Sequence, residues 1–156
     1  MGVEIERKFL VVNQDWKTQT EGSLLRQGYI SGEPGRIVRV RIEAQQASLT
    51  IKGLATGIRC GEWEYPIPLA DAEVLLAQVC VQPLIEKLRY RIAQDDVVWE
   101  IDEFFGANAG LVVAEVELTS EDQPFARPSW LGAEVSHERR YANANLQKHP
   151  YQAWTV

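Results

Sequence analysis

Glu4-Ile5-Glu6-Arg7-Lys8-Phe9-Leu10-Val11 decides how the chain is read. Side chains of a β-strand alternate between its two faces, so Glu4, Glu6 and Lys8 share one face while Ile5, Arg7, Phe9 and Val11 share the other. The same device returns downstream. Arg39, Arg41 and Glu43 oppose Val38, Val40 and Ile42, then Ser48, Thr50 and Lys52 oppose Leu49 and Ile51. Glu62 and Glu64 oppose Trp63, Tyr65 and Ile67, and Lys87, Arg89 and Arg91 oppose Leu88, Tyr90 and Ile92. Glu100 sits with Asp102 and Glu115 with Glu117.

Taken in order, the strands read as 4–11, 24–31, 36–43, 48–53, 62–67, 84–92, 97–104 and 111–118. Tyr29 falls on the face of Gln27 and Ser31 in the second of them. Turn-forming residues separate the strands at Gly32–Gly35, Gln45-Gln46, Gly57–Gly61, Gln94–Asp96 and Gly106–Gly110. Ala72, Leu75, Leu76 and Val79 recur at helical spacing and predict a helix over 70–79. Residues 13–21 read as a loop or short helix. After Thr119 the tail, interrupted by Pro124 and Pro128, reads as irregular, with a short closing helix over 141–148.

Composition sets outer limits. A chain of 156 residues, 46% hydrophobic and 24% charged, is expected to form one domain over 1–156. No run approaches the roughly 18 apolar residues of a membrane span, and Glu4 and Glu6 stand where an export signal would be basic and then apolar. No membrane partner and a cytoplasmic location are expected. Cys60 and Cys80 form no metal or disulfide pattern and read as free thiols. A net charge of −6 argues against nucleic-acid binding.

Two architectures can carry alternating charge. An open antiparallel sheet would turn the charged face to water, but such a face is ordinarily mixed in Ser, Thr, Asn and Gln. Here Glu-x-Glu and Arg-x-Arg recur instead. The expected fold is therefore mainly β, an eight-stranded antiparallel closed barrel with a charged interior, apolar faces outward and a few flanking helices. A barrel of about eight strands is just wide enough inside for side chains or one small ligand. Dry burial of so many ions, at several kcal/mol each, would exceed a total stability of roughly 5–15 kcal/mol. The bore must be wet and must take charged guests.

Carboxylates without His or Cys are ligands for hard cations, Mg²⁺ or Mn²⁺. Glu4, Glu6, Glu115 and Glu117 are the leading candidates, followed by Glu62, Glu64 and Asp102; each could instead pair with a neighbouring base. Lys8, Arg39, Arg41, Lys52, Arg89 and Arg91 would hold a polyphosphate, since guanidinium groups grip phosphate oxygens in pairs. Trp63, Tyr65, Tyr90 and Trp99 read as packing on the outside of the barrel, and His137 and His149 as surface residues.

These motifs resemble the CYTH superfamily, the triphosphate tunnel metalloenzymes, and within it the short bacterial inorganic triphosphatases. The resemblance spans nearly the whole chain: Glu4, Glu6 and Lys8 match the opening Glu-x-Glu-x-Lys, Arg39 and Arg41 the Arg-x-Arg strand, and Lys52 the central lysine. Glu62 with Glu64, Lys87 with Arg89, Asp102, and Glu115 with Glu117 complete it. It implies an eight-stranded tunnel, one or two divalent metals and cleavage of a phosphoanhydride bond. It also implies that Lys87 with Tyr29 orients or deprotonates water, although Tyr29 could simply fill the barrel. Arg139, Arg140 and Tyr141 resemble a C-terminal piece that returns to the tunnel mouth, with Arg140 either binding substrate or forming an outside salt bridge.

The expected activity is metal-dependent hydrolysis of inorganic triphosphate to pyrophosphate and phosphate by a monomer or homodimer. The alternatives are a class IV adenylate cyclase, a thiamine or nucleoside triphosphatase on the same fold, and a polyphosphate-binding module without catalysis.

Overall fold

The computed structural model describes residues 2–154. Nine strands form one antiparallel sheet: β1 (Val3–Val11), β2 (Ser23–Glu33), β3 (Arg36–Glu43), β4 (Gln46–Thr56), β5 (Arg59–Ile67), β6 (Ile85–Gln94), β7 (Val97–Phe104), β8 (Val112–Glu117) and β9 (Leu131–Glu134). Their order is β5-β4-β3-β2-β6-β7-β8-β1-β9, and β5 also pairs with β1. That last pairing closes eight strands into a ring and leaves none of the eight with a free edge.

The closing strand is shared. Along one edge β1 pairs through Glu6–Leu10 with β8; along the other, Val3–Ile5 meet β5 while Phe9 and Val11 meet β9. Between the two partners the β1 backbone is still satisfied, with Glu6 N–H donating to the Ile58 carbonyl at 3.0 Å and Lys8 N–H to Ser136 Oγ at 2.9 Å. The sheet therefore parts beside Glu6 and Lys8 without orphaned amides.

Hairpin geometry places the turns. The second turn is Ala44-Gln45, one residue earlier than the sequence suggests, with Ala44 at φ 54°. Asp95 takes the same conformation between β6 and β7, as two-residue hairpins matched to strand twist require. Pro34-Gly35 joins β2 to β3 with glycine at φ 82°. The expected loop at 57–61 shrinks to Gly57-Ile58, because β4 and β5 run longer than their alternation alone indicates.

Most of the apolar core lies outside the ring, as the alternation predicts. Ile5, Phe9, Trp99, Ile101, Ala114 and Val116 pack under Trp16 and Trp130, which belong to the 13–22 and 119–131 segments. Helix α1 (Leu69–Gln78) buries Ala72 and Leu76 against Val40, Ile42 and Ala47. Residues 13–21 form turns rather than a helix, pinned by Trp16 against Tyr90 with ring centroids 4.9 Å apart.

Three expectations need correction. The tail is not simply irregular: it supplies β9, which a four-residue span without alternating charge did not reveal. Tyr90 and Trp99 are buried on the outer face, but Trp63 and Tyr65 are 44% and 53% exposed, since the α1 cluster reaches only the Ile67 end of β5 and the 119–131 segment only the Arg59 end. Not every apolar face points outward either. Tyr29, Ile85, Phe104 and Val113 pack with Tyr141 and Leu146 from the tail, whose 3₁₀ turn Arg139–Tyr141 and helix α2 (Asn143–Lys148) cover one end of the ring.

Trp99 is fully buried, in edge contact with Phe9, Phe125 and Trp130. Trp99→Ala is expected to lower the unfolding free energy by about 3–5 kcal/mol, and Trp63→Ala by less than about 1 kcal/mol, measured by urea denaturation. Equal losses would contradict this placement of the core.

Candidate active site

Strand pairing carries the sequence-identified charges into one bore. Arg41 lies opposite Gln27 and Ser48, Lys52 opposite Glu62, Arg89 opposite Asp102, and Lys8 opposite Glu115. The resulting cavity, about 1170 Å³, is lined by Glu4, Glu6, Glu62, Glu64, Glu115 and Glu117 and by Lys8, Arg39, Arg41, Lys52, Arg89 and Arg91, with Tyr29 in its wall. Ring order then sorts the charges. Adjacent strands β8, β1 and β5 form an acidic arc, and β3 with β6, flanking the Tyr29 strand β2, form a basic one.

The acidic arc holds more carboxylates than Lys8 and Lys52 can balance. Burial, then the charges of Glu115 and Glu4, hold the Glu6 carboxyl well above the usual carboxylate range. Burial with Glu4 raises Glu62, and burial with Glu4, Glu62 and Glu100 raises Glu117. Lys52 serves this arc, 3.1 Å from Glu4 and 3.4 Å from Glu62; burial opposes its charge, yet Glu4 and Glu6 hold its ammonium above its ordinary range. Among the described residues, no three His, Cys, Asp or Glu side chains are already gathered into a metal cage. The donor set is nevertheless all carboxylate oxygen, and its mutual repulsion is what a hard divalent cation relieves. Glu4, Glu6, Glu62 and Glu117 fit that role.

The basic arc is short of negative charge at Arg39 and Arg41. Arg39 donates through Nη2 to Thr50 Oγ1 at 3.1 Å and lies 3.6 Å from Glu64, but its buried Nε has no partner. Burial, with Arg39 and Arg89 nearby, lowers Arg41 to about 10. Clustered guanidinium groups of this kind suit an anion with several oxygens.

Other candidates are already paired. Asp102 is fully buried, does not line the cavity, and holds Arg89 through both oxygens at 2.8 and 2.9 Å and Lys87 at 2.8 Å. Burial opposes its charge, but Lys87 and Arg89 keep its carboxyl below the usual range. Glu115 meets Lys8 at 3.3 Å and Arg89 at 3.2 Å; against burial, those bases hold it well below the usual range. Glu64 accepts from Thr50 at 2.9 Å. Asp102 and Glu115 each pair with two bases and Glu64 lies 3.6 Å from Arg39, whereas Glu4 and Glu62 share Lys52 alone.

Lys87 also lies behind the wall, completely buried, with Nζ 2.9 Å from Asn143 Oδ1. Burial, partly offset by Asp102, brings its ammonium down to about 7. Arg91 pairs with Glu43 and Glu100. Arg140 is not in the bore: it stacks 4.4 Å from the Trp154 ring centroid, while its neighbour Arg139 lines the cavity with His137 and Asn143. The turn at Arg139–Tyr141 splits the two arginines, which no periodicity could disclose. Gln27, Glu43, Glu100 and Asn143 were also missed; Glu43 and Glu100 were legible as members of charged faces.

A CYTH domain model matches residues 2–151. The chain belongs to the CYTH domain family. Within this family it is 47% identical over 152 residues to an inorganic triphosphatase of Acetivibrio thermocellus, covering 97% of each chain. It is 36% identical over 151 residues to an inorganic triphosphatase of Nitrosomonas europaea, covering 92% of this chain and 95% of that one. A crystal structure described as an inorganic triphosphatase superposes with a TM-score of 0.66 at 33% identity, covering 92% and 96% of the two chains. CYTH triphosphatases in general imply a divalent metal. No described helix is long and apolar enough to cross a membrane.

The two kinds of carboxylate in this CYTH bore respond oppositely to neutralisation. In EDTA, Asp102→Asn is expected to cost roughly 3–5 kcal/mol, because a buried pair loses a charge, whereas Glu117→Gln leaves stability within about 0.5 kcal/mol or raises it. Urea midpoints measure both. A raised carboxyl stabilises the fold at low pH and loses that contribution as pH rises through its folded value. Glu6→Gln is therefore expected to flatten the fall in metal-free stability between the usual carboxylate range and neutrality; an unchanged slope would contradict the raised Glu6.

Proposed function

We propose that this chain hydrolyses inorganic triphosphate to pyrophosphate and phosphate in the bore, with Mg²⁺ or Mn²⁺ as cofactor. One observation carries the reading: an acidic arc short of cations faces a basic arc short of anions across a cavity of about 1170 Å³. A metal–polyphosphate complex answers both deficits at once. Membership of the family and the names of the two relatives support the same substrate.

Arg39, Arg41 and Arg89 bind the phosphate oxygens and neutralise the charge that develops on the transferred group; in phosphoryl transfer such positioning and electrostatics do most of the work. Arg89 is held for this by the Asp102 chelate, and Lys8 and Lys52 add point charge from the acidic side. Glu4, Glu6, Glu62 and Glu117 hold the cation, which when bound supplies further charge neutralisation and polarises phosphoryl oxygen. Tyr29 stands at the wall with its side chain buried and its residue lining the cavity, placed to meet the phosphoryl group. Lys87 acts from behind that wall through Asn143, as a charge near neutrality rather than as a group in direct contact with the bore.

Phosphate release should be measured on tripolyphosphate, ATP and thiamine triphosphate, with Mg²⁺ or Mn²⁺ and with EDTA. The expected result is preferential turnover of tripolyphosphate that EDTA abolishes, and a loss of at least about a hundredfold in kcat/KM for Arg39→Ala, set against the 10³–10⁵ that one transition-state arginine contributes. Cyclic AMP formed without free phosphate would assign the bore to cyclisation, and binding without turnover would make the chain a polyphosphate-binding module.

A further inference from the structure

Behind Tyr29 lies a buried amide network whose polarity is set by chemistry alone. Arg41 Nε lies 2.9 Å from the side chain of Gln27, and Lys87 Nζ lies 2.9 Å from that of Asn143. Arginine donates only, and the Gln27 NH₂ that Arg41 thereby orients donates toward Asn143 3.4 Å away, so neither assignment depends on the charge state of Lys87. Each amide must therefore turn its oxygen to its base, a choice that density seldom settles and that obligate donors settle here.

The consequence propagates along the network. With Oε1 on Arg41, Gln27 must present its NH₂ to Tyr29 Oη, 3.1 Å away, and to Asn143 Oδ1, 3.4 Å away. The Tyr29 oxygen thus accepts from Gln27, and its own hydroxyl proton is left for the bore that Tyr29 lines. Asn143 Oδ1 accepts from both Lys87 and Gln27, so its NH₂ has no acceptor within this network while its residue lines the same cavity. The acceptors of the network face inward to the bases, and two donors face outward.

We infer that Tyr29 Oη–H and Asn143 Nδ2–H form a paired donor subsite for a phosphoryl oxygen, and that Gln27, completely buried, is the positioning residue that sets its polarity. This deepens the proposed function and rests on it for the identity of the anion. It assigns Asn143, the first residue of α2, to substrate binding, and it makes Tyr29 a donor toward the substrate rather than a proton acceptor.

The test is calorimetric titration of tripolyphosphate into metal-free protein in EDTA, alongside steady-state hydrolysis with Mg²⁺. Asn143→Leu deletes one donor, and with it the acceptor of Lys87 and Gln27, without adding charge, whereas Tyr29→Phe deletes the other donor and leaves those contacts in place. Each is expected to weaken tripolyphosphate binding roughly 10- to 100-fold, the scale of one hydrogen bond to a charged group, with KM rising more than kcat falls. Gln27→Glu reverses the network, because a carboxylate in place of the NH₂ draws the Tyr29 proton away from the bore. Its effect is expected to shrink several-fold in a Tyr29→Phe background, whereas simple charge repulsion would persist undiminished.

Folding is checked by the thermal midpoint of each variant, and Asn143→Leu, at the half-buried surface of α2, serves if Gln27→Glu fails to fold. Wild-type binding without hydrolysis, still weakened by Asn143→Leu and Tyr29→Phe, would support the subsite and refute the hydrolase reading. Wild-type hydrolysis with unweakened binding in both variants would overturn the subsite and leave the hydrolase reading standing.

Discussion

Pairing of β1 with β5 is the contact on which the site depends. Val3–Ile5 lie against Arg59–Gly61, more than fifty residues away in sequence, and this contact converts a charged sheet into a charged bore. Without it the Glu4 face and the Glu62 face would be opposite ends of one open surface, each free to hydrate. With it they become neighbours, their carboxylates repel, and the arc acquires a demand for cations that Lys52 alone does not meet. The same closure brings Arg39 and Arg41 to face that arc from the other wall.

A polar centre on this scale shifts the burden of stability elsewhere. Hydrophobic burial, at roughly 25 cal/mol per Å² of apolar surface, is supplied outside the ring, by α1 on β3 and β4 and by Trp16, Phe125 and Trp130 on the β1, β6, β7 and β8 side. Only at the tail-covered end does apolar packing enter the interior, where Tyr29, Ile85 and Phe104 meet Tyr141 and Leu146. At and behind the bore wall, the protein itself compensates the deepest charges. The Lys87–Asp102–Arg89–Glu115 chain balances its own charge and stiffens the wall that presents Arg89, while Glu4, Glu6, Glu62, Glu117, Arg39 and Arg41 are left short of partners.

Period-two alternation made the inward faces legible residue by residue, because a strand offers only two faces and one was uniformly charged. What alternation cannot encode is which strand lies beside which. The sorting into arcs follows from the ring order, and so does the pairing of Asp102 with Arg89, which sits directly across from it on a neighbouring strand. Trp63 and Tyr65 stay uncovered because cover reaches β5 only at its two ends, at Arg59 from the 119–131 segment and at Ile67 from the α1 cluster. The tail was least legible. Its closing helix was legible and appears as α2, but its other contributions come from a short strand and a single turn, where Arg139 enters the bore and Arg140 leaves it for Trp154, and neither carries a period to read.

The central claim is that cation and polyanion meet between the two arcs. Crystals grown with Mn²⁺ and tripolyphosphate, with anomalous scattering recorded to locate the manganese, test it most directly. Manganese on the Glu4, Glu6, Glu62 and Glu117 side, with phosphates against Arg39, Arg41 and Arg89, is the predicted result. Manganese held by Asp102, or a polyphosphate bound outside the ring, would contradict it.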